Sequence, residues 1–135
     1  MSEATSVQRT IDTDLAPPDL WALVKDAAGW ATWMVDEADV DVAPGGGGRV
    51  VDDGIGRTVR IDHLHDDGTG GHVAFTWWPE DRPDLASAVE LVVAPAAGGS
   101  RLRVTETQLH ASSAAPGGWD VRLMLLVAQA LAVHV

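Results

Sequence analysis

Glu106 is the residue whose type and position suggest chemistry first. In RLRVTETQL (101–109), Leu102, Val104 and Glu106 alternate with polar residues, so in an extended strand all three share one face. A carboxylate on the leucine and valine face points at the interior. There it needs a partner or has a raised pKa, and either would suit orienting a bound molecule or acting as a general acid or base. The plain alternative is a strand-end residue that reaches water or pairs with an arginine such as Arg9 or Arg57. A second candidate group lies in VAFTWWPED (73–81), where Val73, Phe75 and Trp77 form an alternating stripe. Phe75 and Trp77 either line an apolar, aromatic ligand pocket or fill a core. Trp78 must face the opposite side of the strand, either covering a bland part of the outer sheet or marking a contact surface.

Other chemistries find less support. His63 and His65, beside Asp62, Asp66 and Asp67, invite a metal reading, but two histidines and turn aspartates lack a distinctive ligand spacing, so no metal site and no cofactor are expected. The glycine runs at 45–48 and 54–56 open no helix, which removes the free N–H groups and dipole of a phosphate site. No nucleophile motif surrounds the serines at 87, 100, 112 and 113. The chain has no cysteine, which excludes disulfides, thiolate metal sites and cysteine nucleophiles. A formal net charge of −11 opposes binding to phosphate backbones and anionic lipid heads, so neither nucleic acid nor membrane is an expected partner. No stretch approaches the roughly 20 apolar residues of a membrane span, and the first residues lack the plan of a secretory signal, so a cytoplasmic location is expected.

The elements that must position these side chains follow from periodicity. With 135 residues and 46 % hydrophobic content, residues 1–135 read as one domain with its own core, residues 1–5 being a loose N-terminus. VQRTIDTD (7–14) reads as an opening strand. Two prolines then suit a helix start, and DLWALVKD (19–26) carries helical spacing until Gly29 breaks it. GWATWM (29–34) is a second short helix or turn with Trp30 and Trp33 on one face. EADVDV (37–42), Arg49–Asp52, Arg57–Leu64, the Val73–Trp77 run, SAVELVV (87–93) and RLRVTETQL (101–109) are short strands separated by turns. Val59 and Ile61 share a face, as do Val89, Leu91 and Val93. From residue 118 the period becomes helical: Trp119, Leu123, Leu126, Val127 and Ala130 form one side, with Asp120 and Arg122 on the other. About seven antiparallel strands and one long helix bury their apolar surfaces by laying the helix across the sheet.

In order and spacing, APPDLWALV (16–24), Trp33, the glycine-rich turn, FTW (75–77), SRLRVTE (100–106) and GW (118–119) resemble the SRPBCC, or START-like, superfamily. Within it they are similar to the branch called activator of Hsp90 ATPase homologue-like. The resemblance implies an α+β helix-grip (START/Bet v 1-like) fold, a seven-stranded curved antiparallel sheet around a long C-terminal helix, with a deep cavity between them. It also implies that Trp33 sits near the cavity mouth, that Phe75 and Trp77 face inward, and that Glu106 takes a place where relatives often carry His or Glu. Trp78 departs from the family habit of a polar or basic residue there. The function so implied is binding of a hydrophobic, aromatic or polycyclic small molecule against Trp33, Val59, Ile61, Phe75, Trp77, Leu91, Val104, Glu106, Trp119, Leu123 and Leu126, by a monomer or homodimer. The alternatives are a polyketide cyclase or aromatase using Glu106 as acid/base, and a chaperone-associated interaction module.

Overall fold

The structure, a computed structural model, describes residues 6–109 and 118–133, with side chains to 128. Residues 1–5, the expected loose N-terminus, lie outside the described residues, as do residues 110–117 and the side chain of Ala130. The chain runs β1 (Ser6–Thr13), α1 (Pro17–Ala22), α2 (Ala27–Trp33), β2 (Glu37–Val40), β3 (Gly47–Asp52), β4 (Ile55–Asp66), β5 (Gly71–Pro79), a 3₁₀ turn at Pro83–Leu85, β6 (Ser87–Ala96), β7 (Gly99–Gln108) and α3 (Trp119–Val133). The strands form one seven-stranded antiparallel sheet in the order β1-β7-β6-β5-β4-β3-β2. β1 and β2 are its two edges, so α1 and α2 carry the chain from one edge to the other. α3 packs against α2 and β1. This is the helix-grip arrangement.

Alternation decides what enters the core. Ser87, Val89, Leu91 and Val93 of β6 and Ser100, Leu102, Val104, Glu106 and Gln108 of β7 are buried along single stripes. β5 contributes Val73, Phe75 and Trp77, and β4 contributes Val59 and Ile61. A register shift between Ile61 and His63 then reverses the parity of β4, so Leu64 packs against the core and His63 meets His72 with ring centroids 5.0 Å apart. The hairpin from β3 to β4 turns on Asp53-Gly54, both at positive φ (53° and 77°), the pattern of a type I′ turn that matches strand twist.

Most strands run longer than periodicity suggests, because turn residues such as Gly47, Gly71 and Gly99 pair as strand ends. Two expectations need correction. Gly29 does not break a helix. The break lies at 23–26, where the Asp26 side chain caps α2 by accepting the Gly29 N–H at 2.7 Å. Gly29 sits inside α2 because a Cβ there would lie 2.7 Å from the backbone carbonyl carbon of Leu23. That close approach lets Trp30 and Trp33 donate their indole N–H groups to the carbonyls of Val24 and Leu23, at 2.6 and 2.8 Å, just past the end of α1.

The second correction concerns α3. Trp119, Arg122, Leu123 and Leu126 turn inward and are 8 % exposed or less, whereas Val121, Met124, Leu125 and Val127 are 39 % exposed or more. Arg122 therefore belongs to the inner stripe and Val127 to the outer face. Position 122 is three residues after Trp119 and four before Leu126, so helical geometry places it on that stripe whatever its polarity. Half-buried Trp78 stands on the outer face opposite Thr58 of β4.

Gly29→Ala separates local propensity from packing. Alanine is the better helix former by about 1 kcal/mol, yet the new methyl meets backbone that cannot yield. Urea denaturation is expected to give a net loss of about 1–2 kcal/mol; a gain in stability would mean that α1 and α2 do not approach as described.

Candidate functional site

Glu106 is buried at 5 % exposure, and the fold supplies it with donors. Trp77, facing it from β5, donates its indole N–H to Oε2 at 2.9 Å. Ser87 of β6 donates its hydroxyl to the same oxygen. Trp119, at the start of α3, donates to Oε1 at 2.8 Å. One carboxylate thus ties three elements together, two strands of the sheet and the long helix. The rings around it form a continuous chain: Trp30 and Phe75 have centroids 4.8 Å apart, Phe75 and Trp77 5.3 Å, Trp77 and Trp119 6.2 Å, and Trp119 and Trp33 6.4 Å. Each of these five side chains is 2 % exposed or less, so among the described residues aromatic rings occupy the space between β5 and α3.

Two guanidinium groups lie on this aromatic layer. Arg57 sits 4.5 Å over the Trp77 ring, and Arg122 lies 4.8 Å from the Trp119 centroid and 5.4 Å from that of Trp77. Arg122 is held on further sides, since it forms an ion pair with Asp52 of β3 and donates Nε–H to the Met34 carbonyl at 2.9 Å. Burial, and after it the like charge of Arg122, lowers the pKa of Arg57 from its ordinary value, with Asp52 and Glu106 pulling the other way. An arginine so shifted is still a cation near neutrality.

Beyond the arginines opens a cavity of about 570 Å³, bounded by α2 with the segment after it, the β3–β4 hairpin and the first turns of α3. Its walls include Trp33, Met34 and Val35 from the first, Asp52, Ile55 and Arg57 from the second, and Val121, Arg122 and Leu125 from the third. Ile55, Val121 and Leu125 are apolar and 50–63 % exposed. At the rim, exposed Asp36 accepts the backbone N–H of Asp53 at 2.9 Å.

Of the residues expected to meet a ligand, Trp33 lines this cavity. Val59, Ile61, Phe75, Trp77, Leu91, Val104, Glu106, Trp119, Leu123 and Leu126 are packed in the core behind it. Leu123 also faces a second apolar groove between β1 and α3, which Ile11, Met124 and Val127 share and where Arg9 pairs with Asp120 at 3.0 Å. The two arginines considered as partners of Glu106 thus do something else: Arg9 pairs with Asp120, and Arg57 makes no direct bond to the carboxylate. Arg57, expected only as a partner of Glu106, and Arg122, expected on the outer side of the last helix, are polar residues of the site that the sequence reading did not assign to a ligand. Their signal was present, since Arg57 shares the parity of Val59 and Ile61.

Comparison with known proteins agrees with the fold. Residues 4–132 match the family described as polyketide cyclase/dehydrase and lipid transport. The chain belongs to that family. This member of the polyketide cyclase/dehydrase family also superposes on solved structures. Protein MLL2253 from Mesorhizobium loti is similar with a TM-score of 0.75 at 19 % identity, over 95 % of this chain and 97 % of that one. CalU16 from Micromonospora echinospora is similar with a TM-score of 0.69 at 20 % identity, over 96 % of this chain and 78 % of that one. Ara h 8.0201 has a TM-score of 0.69 at 16 % identity, over 96 % and 99 %. Identities this low carry the fold alone, the Bet v 1-like helix-grip. No curated protein sequence matches the chain.

In this family member, Glu106→Gln replaces one accepting oxygen by an amide NH2, which donates and cannot accept an indole N–H. The expected cost is about 1–3 kcal/mol, read as a fall of several degrees in Tm. An unchanged Tm would mean that the indoles keep their places without the carboxylate.

Proposed function

We propose that the protein binds a hydrophobic, aromatic or polycyclic small molecule at the opening between the sheet and α3. The observation that carries this reading is the clustering of Ile55, Val121 and Leu125, three large apolar side chains left half or more exposed, around one cavity of about 570 Å³. That volume falls in the usual range of small-molecule sites, and exposed apolar side chains gathered at a concavity mark a surface made to be covered. Covering them contributes about 25 cal/mol per Å² of apolar area before ordering costs. Trp33 forms the inner wall, and the other inner-face residues, from Val59 to Leu126, are the packed support that keeps that wall rigid. A transport, sequestration or resistance-type role follows from binding without chemistry.

The family description names both cyclase/dehydrase chemistry and lipid transport. A cyclase-like reading would use Glu106 as the acid or base. Both its oxygens already accept hydrogen bonds, and it is not among the residues lining the cavity, which favours binding over proton transfer. The narrower placement in the Hsp90 ATPase activator homologue-like branch, with a chaperone-associated role, rests on sequence motifs. It would use Trp78, whose side chain is already half-buried.

N-phenyl-1-naphthylamine, a neutral polycyclic probe, is expected to bind with micromolar affinity by fluorescence titration. Leu125→Glu, which places a charge on the exposed apolar wall, is expected to weaken that binding about tenfold, a difference of about 1.4 kcal/mol, while leaving Tm nearly unchanged. Equal affinity in the variant would remove the cavity from the account.

A further inference from the structure

The chain carries 20 carboxylate side chains against nine lysines and arginines, so a cation without a carboxylate neighbour needs a reason. Every other arginine has a carboxylate oxygen no farther than 3.9 Å away. Arg57 has none: among the described residues its side chain is in no hydrogen bond or ion pair, and its Nε is buried without a partner. Burial of such a group is costly unless something satisfies it. Its one specific contact is the face of Trp77, and it lines the cavity.

The position is built. Arg57 follows the inner parity of β4, two residues before Val59, with Trp77 fixed beneath it by the hydrogen bond to Glu106. Arg122, on the same wall, is ion-paired with Asp52 and donates to the Met34 carbonyl, which leaves Arg57 as the guanidinium of that wall with no carboxylate partner. The negative groups in reach act on Arg57 only through space and make no bond to it. Asp52 is paired with Arg122, Glu106 has its oxygens filled by three donors, and Asp36 and Asp53 are exposed at the rim, where solvent screens them.

We propose that Arg57 is an anion-binding group, and that the ligand is an aromatic or polycyclic acid whose carboxylate, or an equivalent oxyanion, sits on Arg57 while its rings cover Ile55, Val121 and Leu125. This rests on the ligand-binding reading above and adds the acidic group to it. A planar guanidinium already oriented by a ring loses little freedom on taking an oxyanion, and a charge-assisted pair there is stronger than a neutral one. With the acid on Arg57 at the inner wall, the apolar end remains at the mouth against Ile55, Val121 and Leu125.

The test compares two probes with the same rings, neutral N-phenyl-1-naphthylamine and its sulfonated form, 8-anilinonaphthalene-1-sulfonate, by fluorescence titration of the full chain. The sulfonate is expected to bind about tenfold more tightly to the native protein, with the advantage shrinking as salt is raised. Arg57→Met is expected to erase the advantage, so that the two probes bind the variant equally, and Arg57→Lys to keep part of it. Arg9→Met, in the β1–α3 groove, is expected to change nothing. Equal affinities for the two probes, a salt-independent difference, or a preference lost with Arg9 in place of Arg57 would overturn the acidic-ligand proposal while leaving the cavity reading intact. Binding of neither probe would overturn both. Should Arg57→Met not fold, the salt dependence and Arg57→Lys decide alone.

Discussion

A buried carboxylate must find donors or lose more in desolvation than its neighbours gain, and here the whole interior is arranged around meeting that requirement at Glu106. The indole N–H groups of Trp77 and Trp119 and the hydroxyl of Ser87 supply it. Because these donors come from β5, β6 and α3, satisfying one side chain of β7 also fixes where the long helix crosses the sheet. The donors gain equally, since an indole N–H buried without an acceptor is itself destabilising. Carboxylate and indoles solve each other's desolvation problem, with Arg57 and Arg122 over the ring faces adding compensating charge.

The site follows from that arrangement. With Trp30, Phe75, Trp77, Trp119 and Trp33 filling the region between sheet and helix, the available space moves outward to the opening bounded by α2, the β3–β4 hairpin and α3. Each wall has its own local cause. The Asp53-Gly54 turn brings Ile55 to the rim, the Asp26 cap and the Gly29 contact set α2 so that Trp33 closes the inner wall, and the narrow inner stripe of α3 leaves Val121 and Leu125 uncovered. The inward turn of Arg57 places on the cavity wall a guanidinium with no carboxylate partner among the described residues, in a protein with a net charge of −11.

The sheet was the most legible part of the sequence. Seven alternating runs punctuated by glycine, proline and aspartate carry strand and hairpin signals that require no knowledge of the rest of the chain, and the inward stripe of Leu102, Val104 and Glu106 was readable at once. Helix–helix detail was not. Gly29 reads as a breaker when only propensity is considered, because the carbonyls of Ala22 and Leu23 that it must approach are brought there by tertiary packing. Arg122 reads as solvent-facing because polarity outweighs position in a sequence pattern, although its spacing from Trp119 and Leu126 put it on the buried stripe. The location of the cavity was unreadable for a related reason: alternation says which face a side chain takes, not whether the rings on that face meet.

The indole–carboxylate cluster closes the interior, and we expect ligands to be held outside it, in the cavity. Hydrogen exchange of the indole N–H groups of Trp77 and Trp119, followed by NMR with and without saturating N-phenyl-1-naphthylamine, tests this directly. Both protons are expected to exchange only through global opening of the fold, at rates no faster with probe bound than without. Faster exchange, or loss of their hydrogen-bonded resonances on probe binding, would place the ligand between sheet and helix and contradict this expectation.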